Sequence, residues 1–265
     1  TRLRPDPRAV ERASDWLVEA RQPVIVADLL GRHPETVPAL AELAELLAAP
    51  VVDAGGRLNL PNTHPLWRRS REVLRGADCV LLLDVRDPFG WLHEYDERER
   101  VAERLVADGC RVVEVGYGDL GIRAWSHQFQ RYQEVDLSIL ADTREAVPAL
   151  VECCRDRLRS RGDADERSNR RSLLAEEHAR MRGRWREVAQ SARPQAPMAT
   201  GRFVWEVWEQ IRGRDFVFTG SLVNDWIPKL WEFDRPDRYA GKPLGTATQI
   251  GISLGVGLAY RGSSR

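Results

Sequence analysis

Residues 22–53 read QPVIVADLLGRHPETVPALAELAELLAAPVVD. Pro23 to Ala27 form a short, β-branched apolar run, the pattern of a strand buried on both faces. Gly31 follows, and Pro34 suits a first helical position. Val37, Leu40, Ala41, Ala44 and Leu47 recur at helical spacing. Pro50 to Asp53 is a second buried strand. Strand, helix and strand with short joints make a βαβ unit, whose two strands are expected to be parallel.

The rest of the first half repeats this plan. Asp6 caps an opening helix with Pro7 at its first turn, and Val10, Ala13, Leu17 and Ala20 mark its inner face. A turn-rich loop runs from Gly55 to Pro65, and Trp67, Val73 and Leu74 suggest a short helix. Cys79 to Val85 is the clearest buried strand. Val101, Ala102, Leu105 and Val106 predict a helix ended by Gly109. Arg111 to Val115 is a fourth strand, and Glu134 to Ser138 a fifth. Asp142 or Thr143 opens a helix to about Arg159. Strands alternating with helices give the fold class: α/β, a parallel-sheet Rossmann-like layer.

Residues 155–186 change character. Arginines are interleaved with acids, and Leu173, Leu174 and Met181 give only a thin apolar stripe. A solvated connecting helix is favoured over an RNA-binding arm, because no aromatic side chains alternate with the arginines for base stacking. An extended linker, Arg193 to Pro197, precedes a second α/β pattern. Thr200 caps a helix carrying Phe203, Val204, Val207, Trp208 and Ile211. Phe216 to Thr219 reads as a strand. Residues 241–246 form a loop leading into a helix with Ile250, Leu254 and Leu258 along one side. Gly251 and Gly255 would let another backbone approach that helix. The expected organisation is a central α/β domain over 1–160, a helical linker over 161–198, and the start of an incomplete second α/β domain over 199–265.

Composition narrows the function. The 265 residues carry 40 basic and 40 acidic side chains, so no overall charge draws the chain to nucleic acid or an anionic membrane. No apolar run is long enough to span a bilayer, and the first residues lack a signal-peptide core. The four cysteines, Cys79, Cys110, Cys153 and Cys154, show no CxxC spacing. Reduced thiols in a cytoplasmic protein are the expectation. The five histidines form no metal-ligand spacing. No G-x-S-x-G elbow supports serine catalysis.

Two stretches in this order carry a resemblance. RQPVIVADLLGRHPETVPALAELAELLAAPVVD, continued by NTHPL and ADCVLLLDVRDP, resembles the central domain of thiamine-diphosphate-dependent enzymes of the acetolactate synthase and benzoylformate decarboxylase type. DFVFTGSLVNDW, continued by RYAGKPLGTATQIGISLGVGLAYRG, resembles the opening of their diphosphate-binding domain. The resemblance implies thiamine diphosphate and Mg²⁺ as cofactors of a longer parent enzyme. It implies C–C bond cleavage or carboligation on a 2-oxo acid or related carbonyl, and assembly as a homodimer or tetramer. It places cofactor contacts on Ser221 and Asn224 in one loop, and on Leu244, Gly245, Thr246 and Ala247 in another. The family's activating glutamate and its GDG metal motif have no counterpart in these residues, so the chain is not expected to be active alone. Leu222 and Val223, and Thr246 or Ala247 where an apolar wedge is usual, depart from the family's usual residues and weaken the cofactor fit.

Some relatives bind FAD or ADP on the central domain. Here the first strand is followed by Asp28-Leu29-Leu30-Gly31-Arg32, with one glycine where G-x-G-x-x-G needs three. Asp84 and Asp87 flank Arg86, an unfavourable setting for a pyrophosphate. An empty or vestigial nucleotide site is favoured. The alternative function is a nucleotide-binding, assembly or regulatory module without catalysis.

Overall fold

The computed structural model describes residues 2–96, 98–118, 131–192, 196–220, 225–241 and 247–262. Six strands form one parallel sheet: β1 (Pro23–Ala27), β2 (Val51–Asp53), β3 (Trp67–Arg68), β4 (Cys79–Leu83), β7 (Arg111–Gly116) and β8 (Leu137–Leu140). Their spatial order is β3-β2-β1-β4-β7-β8, so the chain reverses direction across the sheet between β1 and β4. In open α/β sheets such a reversal leaves a crevice at the carboxyl ends of the strands.

Period-two alternation divides the apolar side chains between two cores. Ile25, Ala27, Leu81, Leu83, Val113 and Val115 face the larger core, which is closed by α1 (Pro7–Glu19), α2 (Thr36–Leu47) and α4 (Thr143–Arg159). Val24, Val26, Val80, Leu82 and Val112 face a smaller one with Leu74, Leu105 and Leu92, the last from the short α3 (Pro88–Leu92). Burial on both faces explains why β1 and β4 carry no polar positions, whereas β7 keeps Arg111 and Glu114 at its less buried ones. The helix caps follow from the sequence. Asp6 accepts from the Arg8 and Ala9 amides, and Asp142 accepts from the Arg144 amide. Each satisfies otherwise unpaired first-turn N–H groups.

Several local expectations are corrected. α2 begins at Thr36, not Pro34, after a 3₁₀ turn over Leu30–Arg32, and the Thr36 hydroxyl donates to the Leu30 and His33 carbonyls. Trp67 lies in β3, and the helix expected near Val73 and Leu74 is a 3₁₀ turn over Glu72–Gly76. The helix expected at Val101–Val106 is instead the second arm of an antiparallel hairpin, β5 (His93–Asp96) with β6 (Val101–Arg104). Asp96 accepts from the Arg98 and Glu99 amides and so turns the chain there. Glu94 and Glu103 stand opposite each other, and Arg75 pairs with both. The fifth strand begins three residues later than its expected start, at Leu137.

α5 (Ala164–Ser191) is a 28-residue rod burying only His178, Arg182 and Ala189. Solvated over most of its surface, it is nonetheless fastened. Arg68 Nη2 donates to the Leu174 carbonyl at 2.8 Å, and the Asn62 carbonyl meets His178 Nε2 at 3.0 Å. Burial pushes the His178 imidazole down to about 4, so the ring is neutral at ordinary pH.

Beyond it lie α6 (Thr200–Ile211), α7 (Trp226–Leu230) and α8 (Thr248–Ala259). Ala199, not Thr200, is the cap of α6, and it makes no side-chain cap bond. Phe203 is exposed, whereas Val204 and Trp208 enter a third core with Ile227, Leu230, Trp231, Phe233 and Tyr239. The strand expected at Phe216–Thr219 reduces to one parallel bridge, Phe218 to Tyr239. α8 buries nothing, and its Gly251 and Gly255 have no neighbour among the described residues.

Candidate functional site

Two edges of the molecule qualify. The first is the crevice between β1 and β4. Asp28, just past β1, is buried and takes a bidentate pair from Arg86, with Nε at 2.7 Å and Nη2 at 3.0 Å. Asp84, just past β4, accepts from Thr143 Oγ1 at 2.7 Å and Arg32 Nη2 at 3.2 Å. Burial pushes the Asp84 carboxyl up. The segment after β1, where a pyrophosphate would need bare backbone, is covered by residues 55–59. The Gly31 amide donates to Asn59 Oδ1 at 3.0 Å. A Cβ built at Gly31 would stand 1.9 Å from the Leu58 carbonyl oxygen. The one glycine of this segment therefore serves contact with the chain itself. The adjoining cleft, lined by Arg32, Asp84, Arg86, Glu114 and Tyr117, measures about 110 Å³. Small-molecule pockets usually start at about 300 Å³.

Gly31→Ala is accordingly expected to cost at least about 2 kcal/mol, because backbone must move to admit the methyl. Urea unfolding of the variant measures it, and an unchanged midpoint would refute the close approach.

The second edge belongs to the region after α5. The Phe218 amide donates to the Arg238 carbonyl at 2.7 Å, and the Ala240 amide to the Phe218 carbonyl at 3.0 Å. The two segments run in parallel, so the chain leaves both at the same end. The loops that follow them, 221–224 and 242–246, are those singled out in the sequence. Ser221, Asn224, Leu244, Gly245 and Thr246 lie outside the described residues. Ala247 is described: it is the exposed cap residue of α8. α8 folds back onto Thr219 and Gly220, the described residues that precede the first loop. Thr219 Oγ1 lies 2.8 Å from Ser253 Oγ, and Gly220 rests against the Phe218 ring and the Gln249 side chain.

Sequence reasoning missed Thr219, Gln249 and Ser253. Gln249 and Ser253 are four apart at the start of α8, a one-face spacing that could have pointed to them.

This edge is held from the first half. Arg57 Nη1 donates to the Ala240 carbonyl at 2.6 Å. Gly241, at φ 107°, leaves room for that guanidinium, which a Cβ would meet at 1.8 Å. Arg69 pairs with Asp225 at 2.6 Å. Asn62 donates to the Pro228 and Trp231 carbonyls and accepts from the Phe233 amide, each at 2.8 Å.

Chemically, the described part of this edge offers hydroxyls and an amide. A magnesium-bound diphosphate also requires oxygen ligands for the cation. Among the described residues no group of three His, Cys, Asp or Glu could hold a metal ion. These residues by themselves do not fit such a group.

No protein-family model matches the chain, and no curated protein matches it in sequence. Solved structures do match. Benzoylformate decarboxylase from Polynucleobacter necessarius superposes on 99% of this chain at 15% identity, with a TM-score of 0.66. A thiamine diphosphate-dependent 4-hydroxybenzoylformate decarboxylase from Rhodococcus jostii RHA1 superposes on 97% at 14% identity, with a TM-score of 0.58. The chain shares their fold. It spans just under half of each, 46% and 45% respectively. The likeness runs through the parallel sheet, the long α5 and the elements after it. The α/β class read from the sequence holds. Among the described residues no helix is long and apolar enough to cross a membrane.

Proposed function

We propose that these residues are the middle of a thiamine-diphosphate-dependent enzyme acting on a 2-oxo acid or related carbonyl compound. In this reading 1–160 is the central domain, 161–198 the linker and 199–265 the opening of the diphosphate-facing domain. The observation that carries it is the parallel pair at Phe218 and Tyr239. The chain leaves both segments at one end, and Ser253 of α8 meets Thr219 there. The fold likeness over nearly the whole chain supports the same order of parts. Ser221 and Asn224, with Leu244, Gly245, Thr246 and Ala247, are the residues assigned to the cofactor. Its cation would draw its ligands from outside the described residues. The exposed row Ile250, Leu254 and Leu258 is assigned to packing within the completed diphosphate-facing layer, in a homodimer or tetramer.

The test is turnover by the full-length protein supplied with thiamine diphosphate and Mg²⁺. Carbon dioxide release or carboligation from a 2-oxo acid is expected, and residues 1–265 alone are expected to show none. Failure on 2-oxo acids, 1,2-diketones and acyl-CoA compounds alike would overturn the reading. Micromolar binding of ADP or FAD to residues 1–160 would favour a nucleotide-binding module instead.

A further inference from the structure

The largest concavity among the described pockets lies away from both edges. It runs between α5 and the amino-terminal ends of β1 and β2, and has a volume of about 970 Å³, within the usual range of small-ligand sites. Pro23, Val24, Pro50, Leu173, Leu174 and Met181 give it apolar walls. Leu173 is 55% exposed there, an apolar side chain left in water on an otherwise polar helix. The lining residues Glu166 and Arg180 are separated along α5 by about 21 Å, at about 1.5 Å per residue. The groove is thus long and narrow rather than round.

Its charges are uneven. At one end the Arg68 side chain is only 3% exposed and pairs with an exposed Glu177 at 3.2 Å. Two of its nitrogens bond to carbonyls, and its Nε is buried without a partner. Burial lowers the guanidinium's affinity for its proton, the sign of a cation incompletely compensated. Arg180 stands three residues from Glu177, on the same side of α5, and makes no ion pair among the described residues. At the other end Arg170 is taken up by the carbonyls of Leu47, Ala48 and Arg21. Glu166 lies there without an ion-pair partner among the described residues, and would repel an anion.

We propose that this groove binds a medium-length apolar carboxylate, with its chain along the Pro23, Pro50 and Leu174 walls and its head group at Arg180 beside Arg68. The chain removes Leu173 and its neighbours from water. The carboxylate gains a charge-assisted bond from Arg180 and offsets the buried Arg68 charge. The carboxylates lining this end, Glu177 and Glu72, are already paired with Arg68 and Arg75, so a cationic head group finds no free acid there and is repelled by Arg180. The inference is independent of the proposed catalytic role, since it uses neither candidate loop.

Equilibrium dialysis of residues 1–265 against dodecanoate, dodecylamine and dodecanol at low ionic strength tests it. Saturable binding of one dodecanoate per chain is expected, about tenfold tighter than dodecylamine, a factor worth about 1.4 kcal/mol. Arg180→Glu is expected to weaken dodecanoate about tenfold and leave dodecanol unchanged. Leu173→Asp is expected to weaken both. Both positions are exposed, and circular dichroism checks that the variants fold. Absence of saturable dodecanoate binding, equal binding of acid and amine by the unmodified chain, or no effect of Arg180→Glu would each overturn the proposal.

Discussion

Asn62→Leu is expected to destabilise the protein by about 4 kcal/mol, and to do so unevenly. Asn62 is 1% exposed and its amide satisfies three backbone groups: the Pro228 and Trp231 carbonyls and the Phe233 amide. Leucine has similar bulk but no polar atoms, so all three groups would stay buried and unpaired. Each such loss costs about 1–3 kcal/mol. The Asn62 backbone carbonyl still meets His178 and Arg182, so α5 keeps its fastening. The six-stranded sheet, whose core draws nothing from the last 70 residues, should remain. Urea unfolding followed by tryptophan fluorescence is expected to split into two transitions. The earlier belongs to the third core with Trp208 and Trp231, and the later to the sheet. Asn62→Asp is a useful control, because it keeps an acceptor for Phe233 and loses both donors. A single transition at the unaltered midpoint in Asn62→Leu would show that the two halves are joined by something else.

This pin could not be read in the sequence. Asn62 sits in a turn-rich loop where asparagine is common for local reasons, and its three partners are more than 160 residues away. What was legible had local causes. β1 and β4 are continuous apolar runs because both faces are covered, and α1 and α4 announce themselves by Asp6 and Asp142 at their caps. The hairpin failed for a definite reason. Val101, Ala102, Leu105 and Val106 fit a helical period, but over six residues that spacing does not exclude a strand running into a turn, and Asp96 decides the matter. β3 is two residues long and carries no period at all. Phe216 to Thr219 has strand composition, yet among the described residues Tyr239 is its one bridge partner, so no ladder forms there. Of the candidate cofactor edge, the helix α8 was legible. The approach of Thr219 to Ser253 was not, because it depends on where α8 turns back.

The contribution of Asp53 to stability is expected to fall as pH rises from about 4 to about 6. Asp53 ends β2 and roots the segment that carries Arg57, Asn62 and Arg69 to the second half. It is 5% exposed. Its Oδ1 accepts from the Gly55 amide at 2.9 Å and from Asn59 Nδ2 at 2.8 Å. The charged groups around it are Arg69, whose Nη1 reaches only the Asp53 backbone carbonyl, and Tyr239 with Arg57 close by. Burial outweighs these favourable bonds and pushes the carboxyl up to about 6. A carboxyl raised in the folded state binds its proton more tightly there than in the unfolded chain. Its contribution is therefore complete below about pH 4, where both states are protonated. It is lost as pH rises through 6, to a limit of about 3 kcal/mol for a shift of about two units. The Asp142 carboxyl, held down to about 2 by Arg144, acts in the opposite sense. Its stabilisation is present above its unfolded value and lost as pH falls towards 2, so the two windows separate. Asp53→Asn keeps an oxygen for Gly55 and Asn59 but cannot ionise. The buried His178 imidazole, pushed down to about 4, works in the opposite direction over the same range, so the two chains are compared with each other: in urea midpoints measured at half-unit steps from pH 4 to pH 7, the parent should lose stability relative to the variant as pH rises. If the variant kept the parent's slope, the carboxyl that titrates would have to be sought elsewhere.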